Sequence, residues 1–264
     1  VGVKIECLGR IKVADLILVP FPTFDLPSTQ VFCTNLGTDL IRITNKGGAY
    51  TYAWTLNGAP FAQTTADISI TAGGTYEVTA TNIISGCETT KTIVVTESEF
   101  PLFDLDGLIV FDLNGDGANR IEVLTGIGAL GIGDYEFSLN GGPYQDSPVF
   151  DDVPPGLHQV SVRDKNGCGT KSVTASVVGY PLYFTPNGNG QDDNWQVLGV
   201  NGVFQSQSLI YIFDRHGRLL AQISPSGPGW DGTYNGTPMP ADDYWFRVGL
   251  EDGRTFTGHF SLIR

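Results

Sequence analysis

The stretch DDYWFRVGLEDGRTFTGHFSLIR, residues 242–264, carries the pattern that decides the fold. Apolar or aromatic residues recur at every second position in its two halves, as Tyr244, Phe246, Val248, Phe256, Phe260 and Leu262 show. A period of two places successive side chains on opposite faces of a strand. The polar Glu-Asp-Gly-Arg segment between the halves is typical of a tight turn. The stretch therefore predicts a strand, a turn and a second strand.

The composition of the whole sequence favours the same class of structure. It contains 34 Gly, 15 Pro and one Met among 264 residues. No window of ten or more residues keeps an apolar stripe with the helical period of about 3.6 residues. We therefore predict an all-β protein with almost no helix, long enough for two or three domains.

The charge and hydropathy patterns exclude two classes of partner. The formal net charge is −13 with only 15 Lys and Arg, and no basic cluster is interleaved with aromatic residues, so nucleic-acid binding is excluded. No apolar run approaches the roughly 20 residues that a membrane helix needs. The first residues do not read as a signal peptide, so we expect the sequence to begin inside a longer protein.

Several separated motifs occur in order over the last third of the sequence. They are FTPNGNGQDDNW (184–195), IYIFDRHGRLL (210–220), GWDGTYNG (229–236), Pro-Met-Pro (238–240) and the terminal GHFSLIR. Together they resemble the gliding-motility-associated, type B C-terminal sorting domain, which marks proteins for the type IX secretion system. The resemblance implies recognition by the type IX translocon and by an outer-membrane β-barrel partner of the PorP/SprF type. It also implies a location at the cell surface, outer-membrane associated or extracellular.

Cysteines recur upstream with a fixed period. Cys7, Cys87 and Cys168 are 80 and 81 residues apart, and each precedes a polar turn, an alternating strand and a proline. A fixed period is typical of tandem modules. We predict the last strand of a truncated preceding repeat at 1–22, β-sandwich modules at 23–101 and 102–181, and the sorting domain at 182–264.

The first complete module has the order Cys33, Trp54, Tyr76, Cys87. This order is similar to immunoglobulin-like and PKD-like β-sandwich domains, and the resemblance implies a disulfide between Cys33 and Cys87 across a buried tryptophan. Such a bond would imply an oxidising compartment; the alternative is two buried free thiols.

The second module contains the segments DYEFSLNGGPYQ (134–145) and VFDDVPPGLHQVSVRDKNGCG (149–169). These segments resemble the repeats of SprB-type gliding adhesins, but the early cysteine is absent. We therefore expect Cys168 to be a free, mostly buried thiol. Cys7 should likewise be unpaired, because its partner would lie upstream of Val1.

Two acidic segments are candidate metal sites. Asp112, Asn114 and Asp116 reproduce the D-x-N-x-D-G start of a calcium loop, in which alternate side-chain oxygens converge. Position twelve of that loop is Val123 instead of an acid, so an Asp-Gly turn is the alternative. The NGNGQDD segment (187–193) leaves the same two alternatives, and the resembled family usually has Asp at the position of Asn189. Calcium is the possible cofactor.

The sequence gives little support to catalysis. The glycines of GIGALG (126–131) match G-x-G-x-x-G, but a strand-like segment follows where a nucleotide site needs a helix, so we predict a loop. His158, His216 and His259 have no nucleophile beside them. We therefore predict that this chain is not an enzyme.

Polar and aromatic residues of the sorting-domain motifs are the candidates for partner contacts. They are Asn187, Asp193, Trp230, Asp231, Tyr234, Trp245 and Arg264. The leading hypothesis is the C-terminal part of a cell-surface adhesin, in which stalk modules precede the sorting domain and the role is gliding motility or adhesion. The alternative is the stalk and sorting signal of a secreted enzyme such as a polysaccharide hydrolase.

Overall fold

A computed structural model describes residues 4–6, 16–18, 20–112, 119–126, 128–251, 253 and 255–264. These residues form β-strands joined by loops, with two short 3-10 turns at Thr34–Leu36 and Leu105–Gly107 and no α-helix among them. The all-β prediction is confirmed. Two compact units divide the chain: one contains Val1–Pro101, Leu130–Tyr135 and Arg163–Thr170, and the other contains Leu102–Ala129, Glu136–Val162 and Lys171–Arg264. The predicted domain boundaries stay predictions.

The first hundred residues contain two strands before Val19 that pair with each other in parallel, and later strands that build a β-sandwich. The strands are β1 Lys4–Glu6, β2 Leu16–Leu18, β3 Phe24–Asp25, β4 Thr29–Cys33, β5 Asp39–Ile41, β6 Thr44–Asn45, β7 Tyr50–Leu56, β8 Ala59–Phe61, β9 Ile68–Ile70, β10 Gly74–Asn82 and β11 Glu88–Ser98. One five-stranded sheet has the order β4-β11-β10-β7-β8. In this sheet β4 is parallel to β11, and the other neighbours are antiparallel.

The core of this sandwich lies between that sheet and the small β5-β9 sheet. Ile41, Ile68 and Ile70 from the small sheet are buried in one cluster with Trp54 and Tyr76 from the large one. The Trp54 indole donates a 2.9 Å hydrogen bond to the carbonyl of Thr65, so its one polar atom is satisfied. Alternate residues of β10 share the buried face, as the period of two predicts.

The predicted pairing of Cys33 with Cys87 is wrong. Cys33 is bonded to Cys168, with a Cα–Cα distance of 5.4 Å, so Cys168 is not the free thiol that we predicted. The reason is the register: Cys33 lies opposite Ser98 at the end of β11, whereas Cys87 comes directly before the start of that strand. At ~3.3 Å per residue, about 35 Å would separate Cys33 and Cys87, far beyond the reach of a disulfide.

Cys33 and Cys87 are both oxidised, as expected, but they are not bonded to one another. Cys87 is also disulfide-bonded. The prediction that Cys7 is unpaired falls on a residue outside the described part of the chain.

A buried carboxylate holds the loop that carries Cys168. Asp164 is only 1% exposed and accepts hydrogen bonds from the Ser98 hydroxyl at 2.8 Å and from the Cys168 amide at 3.0 Å. Burial, with smaller contributions from Glu99 and Asp164, raises the pKa of Tyr135 to about 12. These contacts explain why segments 130–135 and 163–170 belong to the same compact unit as the first sandwich.

The middle of the chain contains two three-stranded sheets. Its strands are β12 Leu108–Phe111, β13 Arg120–Val123, β14 Tyr135–Leu139, β15 Val149–Phe150, β16 Gly156–Asp164 and β17 Thr170–Val177. The sheet orders are β12-β13-β15 and β14-β16-β17. Gly126, Gly128 and Gly131 lie between β13 and β14, and a strand follows them instead of a helix, as predicted.

Five of the last strands form a second five-stranded sheet, and the two short strands at Thr233–Tyr234 and Thr237–Pro238 pair with each other. The strands of this region are β18 Tyr183–Phe184, β19 Leu209–Phe213, β20 Leu219–Ile223, β21 Thr233–Tyr234, β22 Thr237–Pro238, β23 Asp242–Gly249 and β24 Thr255–Leu262. The sheet order is β18-β24-β23-β19-β20, and β18 is parallel to β24. The hairpin predicted from the terminal stretch is confirmed as β23 and β24, with Tyr244 opposite Phe260.

Candidate functional site

The candidate site is the C-terminal domain, in which two sequence motifs separated along the chain meet. Trp195 of FTPNGNGQDDNW and Trp230 of GWDGTYNG form an antiparallel bridge. Each backbone amide donates to the other residue's carbonyl at 2.9 Å. The bridge fixes the two motif loops to one another, so the motifs belong to one folded structure.

Both tryptophans of this bridge lie in an aromatic core. Trp195 is fully buried and stacks on Phe260, with ring centroids 4.0 Å apart and planes 13° apart. Trp230 packs edge-on against Tyr244 at 5.0 Å. Their indole N–H groups donate to the carbonyls of Pro181 and Thr233, both at 2.8 Å. The large rings therefore fill the core without leaving a polar atom unsatisfied.

Two glycines of the GWDG motif are required by close approach. Gly229 has φ +93°, and a Cβ there would lie 2.5 Å from the carbonyl oxygen of Trp195. Gly232 has φ +76°, and a Cβ would lie 2.8 Å from a methyl group of Leu262. Any other residue would have to adopt a rare backbone conformation and also push its neighbours away. The motif is thus a packing requirement of this core.

The 187–193 loop is organised around one carboxylate. Asp193 accepts hydrogen bonds from the backbone amides of Asn187 at 2.9 Å, Gly188 at 2.6 Å and Gly190 at 2.7 Å. These donors, chiefly those of Gly188 and Gly190, lower the pKa of Asp193. The side-chain oxygens of Asn187 and Asn189 accept from the amides of Asn189 and Gln191, at 3.0 and 2.8 Å. The loop therefore uses its side-chain oxygens to satisfy its own backbone.

The last residue of the sequence is tied to the GWDG loop. The Arg264 guanidinium donates to the carbonyls of Met239 at 2.9 Å and Gly232 at 3.3 Å. Asp231 in the same loop accepts from the amide of Thr233 at 3.0 Å and from its hydroxyl at 2.8 Å. Arg264 and Asp231, both candidates for partner contacts, thus form hydrogen bonds that stabilise the GWDG loop.

The turn of the IYIFDRHGRLL motif carries paired charges. Arg218 contacts Asp214 at 3.2 Å, and its guanidinium lies 4.8 Å from the centre of the Tyr234 ring. Arg215 forms an ion pair with Asp242. Backbone hydrogen bonds, led by that of Arg218, lower the pKa of Asp214, and the hydrogen bond from Arg215 lowers that of Asp242. Exposed pairs such as these fix local geometry more than they stabilise the fold.

The solvent-facing side of the C-terminal five-stranded sheet carries aromatic residues, although polar residues are usual at such positions. Trp245 is 41% exposed and lies opposite Phe213 on β19 and His259 on β24. Next to it, Arg247 is opposite Tyr211. Leu209 and Leu219 on the same face are also exposed.

The predicted partner residues therefore separate into two groups. Trp230 is only 3% exposed, because its loop folds back on Trp195, and its assignment as a partner contact stays a prediction. Asn187, Asp193, Asp231 and Arg264 lie at the surface with their polar groups engaged within the domain, and Tyr234 is partly buried beneath Arg218. Trp245 alone of the seven presents a large ring to solvent.

Sequence reasoning also missed residues that the structure brings together. Tyr211, Phe213 and Arg247 share the outward sheet face although they belong to two distant motifs. A signal was present in IYIFD and DDYWFRV, where apolar or aromatic residues occupy both phases of the alternation.

The calcium hypothesis rests mainly on residues outside the described part of the chain. Asn114 and Asp116 are not described. Asp112 is described, and its carboxylate accepts a 2.9 Å hydrogen bond from the amide of Val178. Within the described ranges, no group of three or more His, Cys, Asp or Glu side chains is arranged to hold a metal ion. Calcium at Asp112, Asn114 and Asp116 stays a prediction.

Comparison with known proteins identifies the C-terminal region. Residues 178–262 match the family described as the CHU_C Type IX secretion signal domain. No curated protein sequence matches the chain. The type IX resemblance of the motifs is thus confirmed for this region, and the signal indicates export to the cell surface or the extracellular space.

The comparison with solved structures matches the chain to tandem immunoglobulin domains. Titin domains I67–I69, as an E-to-A variant, share 11% identity with a TM-score of 0.34, covering 91% of this chain and 97% of that chain. The four N-terminal Ig domains of Dscam1 isoform 6.44 share 11% identity with a TM-score of 0.37, covering 91% and 77%. Among the residues that the structure describes, no helix is long and apolar enough to span a membrane.

Proposed function

We propose that this chain is the C-terminal part of a cell-surface adhesin, in which β-sandwich stalk modules precede the type IX sorting domain. The translocon recognises the folded domain, and an outer-membrane β-barrel of the PorP/SprF type holds it at the surface. The observation that carries the proposal is the bridge between Trp195 and Trp230 inside the region that matches the secretion signal domain. Recognition then depends on a folded surface, because the motifs come together only in the folded domain.

The upstream part supports a stalk role. Its sandwich and the disulfide between Cys33 and Cys168 fit a protein that works in an oxidising, extracytoplasmic setting. The buried histidine has a structural role: His158 hydrogen bonds to Asn140 at 2.9 Å and to the carbonyl of Pro154 at 2.7 Å. This chain therefore contributes projection and sorting, and we propose no catalytic step for it. We propose a role in adhesion and gliding motility, which the SprB-type resemblance of the repeats supports.

The export part of the proposal is tested with the whole 264-residue chain fused behind a periplasmic reporter. In a type IX-competent cell the reporter should become accessible to antibody at the surface, and in a type IX-deficient cell it should not. The control lacks residues 178–264. Equal surface display with and without that region would contradict the proposal.

The adhesin part needs its own measurement. Cells whose natural protein lacks residues 178–264 should lose both its surface display and their attachment to glass. Lost display with unchanged attachment would contradict the adhesin and leave the secreted-enzyme alternative.

A further inference from the structure

The outward face of β19, β20 and β23 contains an apolar groove. Solvent-facing positions of an antiparallel sheet are normally polar. Here they form a groove of ≈ 630 Å³, lined by Gln207, Leu209, Tyr211, Phe213, Leu219, Arg247, Gly249 and Leu250. Leu209 and Leu219 are 47% and 45% exposed. Apolar side chains that line a surface groove are typical of a site that another molecule covers.

Arg247 is the charged group of this groove, and it has no ion-pair or hydrogen-bond partner among the described residues. The other described arginines of the domain differ: Arg215 and Arg218 pair with aspartates, and Arg264 binds carbonyls. The acids four residues to either side of Arg247 in the sequence form hydrogen bonds elsewhere. Asp243 accepts from the Ser261 hydroxyl at 2.6 Å, and Glu251 accepts from the Ser206 hydroxyl at 3.0 Å. The groove therefore offers a guanidinium group to a ligand that carries a negative charge.

The edge of the sheet is less suited to a partner than its face. The edge strand β20 has five residues, and its pairing with β19 shifts register between Ile212 and Phe213. A short edge strand with a bulge disfavours the addition of another strand. A ligand would therefore lie across the face and be held by side chains.

We infer that this outer-face groove is the docking site for the export partner, and that it takes a protein segment in which a carboxylate lies between apolar side chains. A guanidinium binds a carboxylate through two parallel hydrogen bonds, and Tyr and Arg side chains dominate many protein interfaces. The groove walls would cover the apolar neighbours of the carboxylate. A neutral sugar chain would leave Arg247 without a counter-charge. This inference rests on the proposed function and names the surface that performs it.

The export assay tests the groove in the full-length fusion. Arg247→Glu should lower surface display at least about tenfold, because it replaces a charge-assisted hydrogen bond by repulsion. Lys171→Glu is the control, since it makes the same charge change at a cation on β17, outside the groove, and it should be displayed as the parent is. The melting temperature of both variants is measured, and Leu209→Asn serves as a second groove variant in case Arg247→Glu unfolds.

A binding measurement with defined probes tests the ligand chemistry. The probe is the synthetic peptide acetyl-Ser-Leu-Phe-Glu-Leu-Phe-Ser-amide, with counterparts that carry Gln or Lys in place of Glu. The purified chain should bind the Glu peptide about tenfold or more tightly than the Gln peptide. The Arg247→Glu variant should reverse the preference and bind the Lys peptide best. A merely structural Arg247 would not produce that reversal.

The outcomes separate the two levels of inference. If the groove variants are displayed normally while removal of residues 178–264 abolishes display, the groove inference is overturned and the proposed function stands. If the truncated fusion is displayed, both fail. Equal binding of the Glu and Gln peptides, or no binding of either, overturns the ligand chemistry. Self-association of the chain that depends on Arg247, seen by sedimentation, would overturn the partner in favour of a second copy.

Discussion

The first sandwich and the C-terminal domain contain five-stranded sheets with the same plan, stabilised in different ways. The orders β4-β11-β10-β7-β8 and β18-β24-β23-β19-β20 both begin with an edge strand that is parallel to its neighbour and continue antiparallel. In the first sheet, that edge strand ends at Cys33, which a disulfide binds to Cys168. The C-terminal domain has no cysteine after Cys168 and depends instead on its aromatic core.

The difference explains what the C-terminal motifs are for. Because this domain has no covalent cross-link, its loops are fixed by buried aromatic rings and by glycines that let the backbone pack closely against its neighbours. These residues are Trp195, Trp230, Gly229 and Gly232. Motifs that resemble a recognition signal are therefore largely the residues that build the domain, and the partner surface that we propose lies beside them on the sheet.

The largest expected effect comes from removing the centre of the aromatic core. Trp195→Ala should lower the free energy of unfolding of the C-terminal domain by about 3–5 kcal/mol, because it deletes a fully buried indole that stacks on Phe260. Urea unfolding followed by circular dichroism measures it. Trp245→Ala is the matched control: it removes an exposed ring and should change stability by less than about 1 kcal/mol. Equal losses in the two variants would contradict the structural role of the core.

Removal of the disulfide between Cys33 and Cys168 should have the next largest effect on stability, and this effect should fall on the first sandwich. The double substitution Cys33→Ser with Cys168→Ser should lower the stability of the first sandwich by about 2–4 kcal/mol, because the open loop regains conformational entropy when unfolded. Hydrogen exchange should show the loss there and leave β23 and β24 protected.

Mass spectrometry gives the direct check of this cross-link. A digest of unreduced protein should contain a peptide that links Cys33 to Cys168. A peptide that links Cys33 to Cys87 would contradict the register on which the correction depends.

The smallest expected effect is in the 187–193 loop and depends on pH. The pKa of Asp193 is lowered in the folded protein, so its ionised form contributes stability above its ordinary pKa of 3.8, and this contribution is lost as the pH falls through the lowered value. Asp193→Asn should therefore lower the melting temperature at pH 7 and cease to do so in strong acid. Asp192→Asn, the same change one residue earlier, is the control. A deficit that does not depend on pH would contradict the role of the carboxylate.

The strands, the terminal hairpin and the identity of the sorting region could be predicted from local sequence. Alternation along β23 and β24 fixes which side chains share a face, because a strand has a period of two whatever its neighbours are. The motifs at 184–195 and 229–236 were recognisable because each is contiguous. The turn that was one of the two alternatives for the 187–193 segment could also be predicted, because Asn and Asp side chains hydrogen-bond to backbone groups within a few residues.

Only the tertiary structure decided which distant residues meet. Cys33 bonds to Cys168 because β4 runs parallel to β11. The spacing of the cysteines in the sequence does not reveal the direction of a strand. Trp230 is buried because its loop pairs with Trp195, which no local pattern encodes. The groove exists because the β19-β23 register sets Tyr211 opposite Arg247, 36 residues later in the chain. Local propensity acts within one strand, whereas burial and pairing depend on the packing of the whole domain.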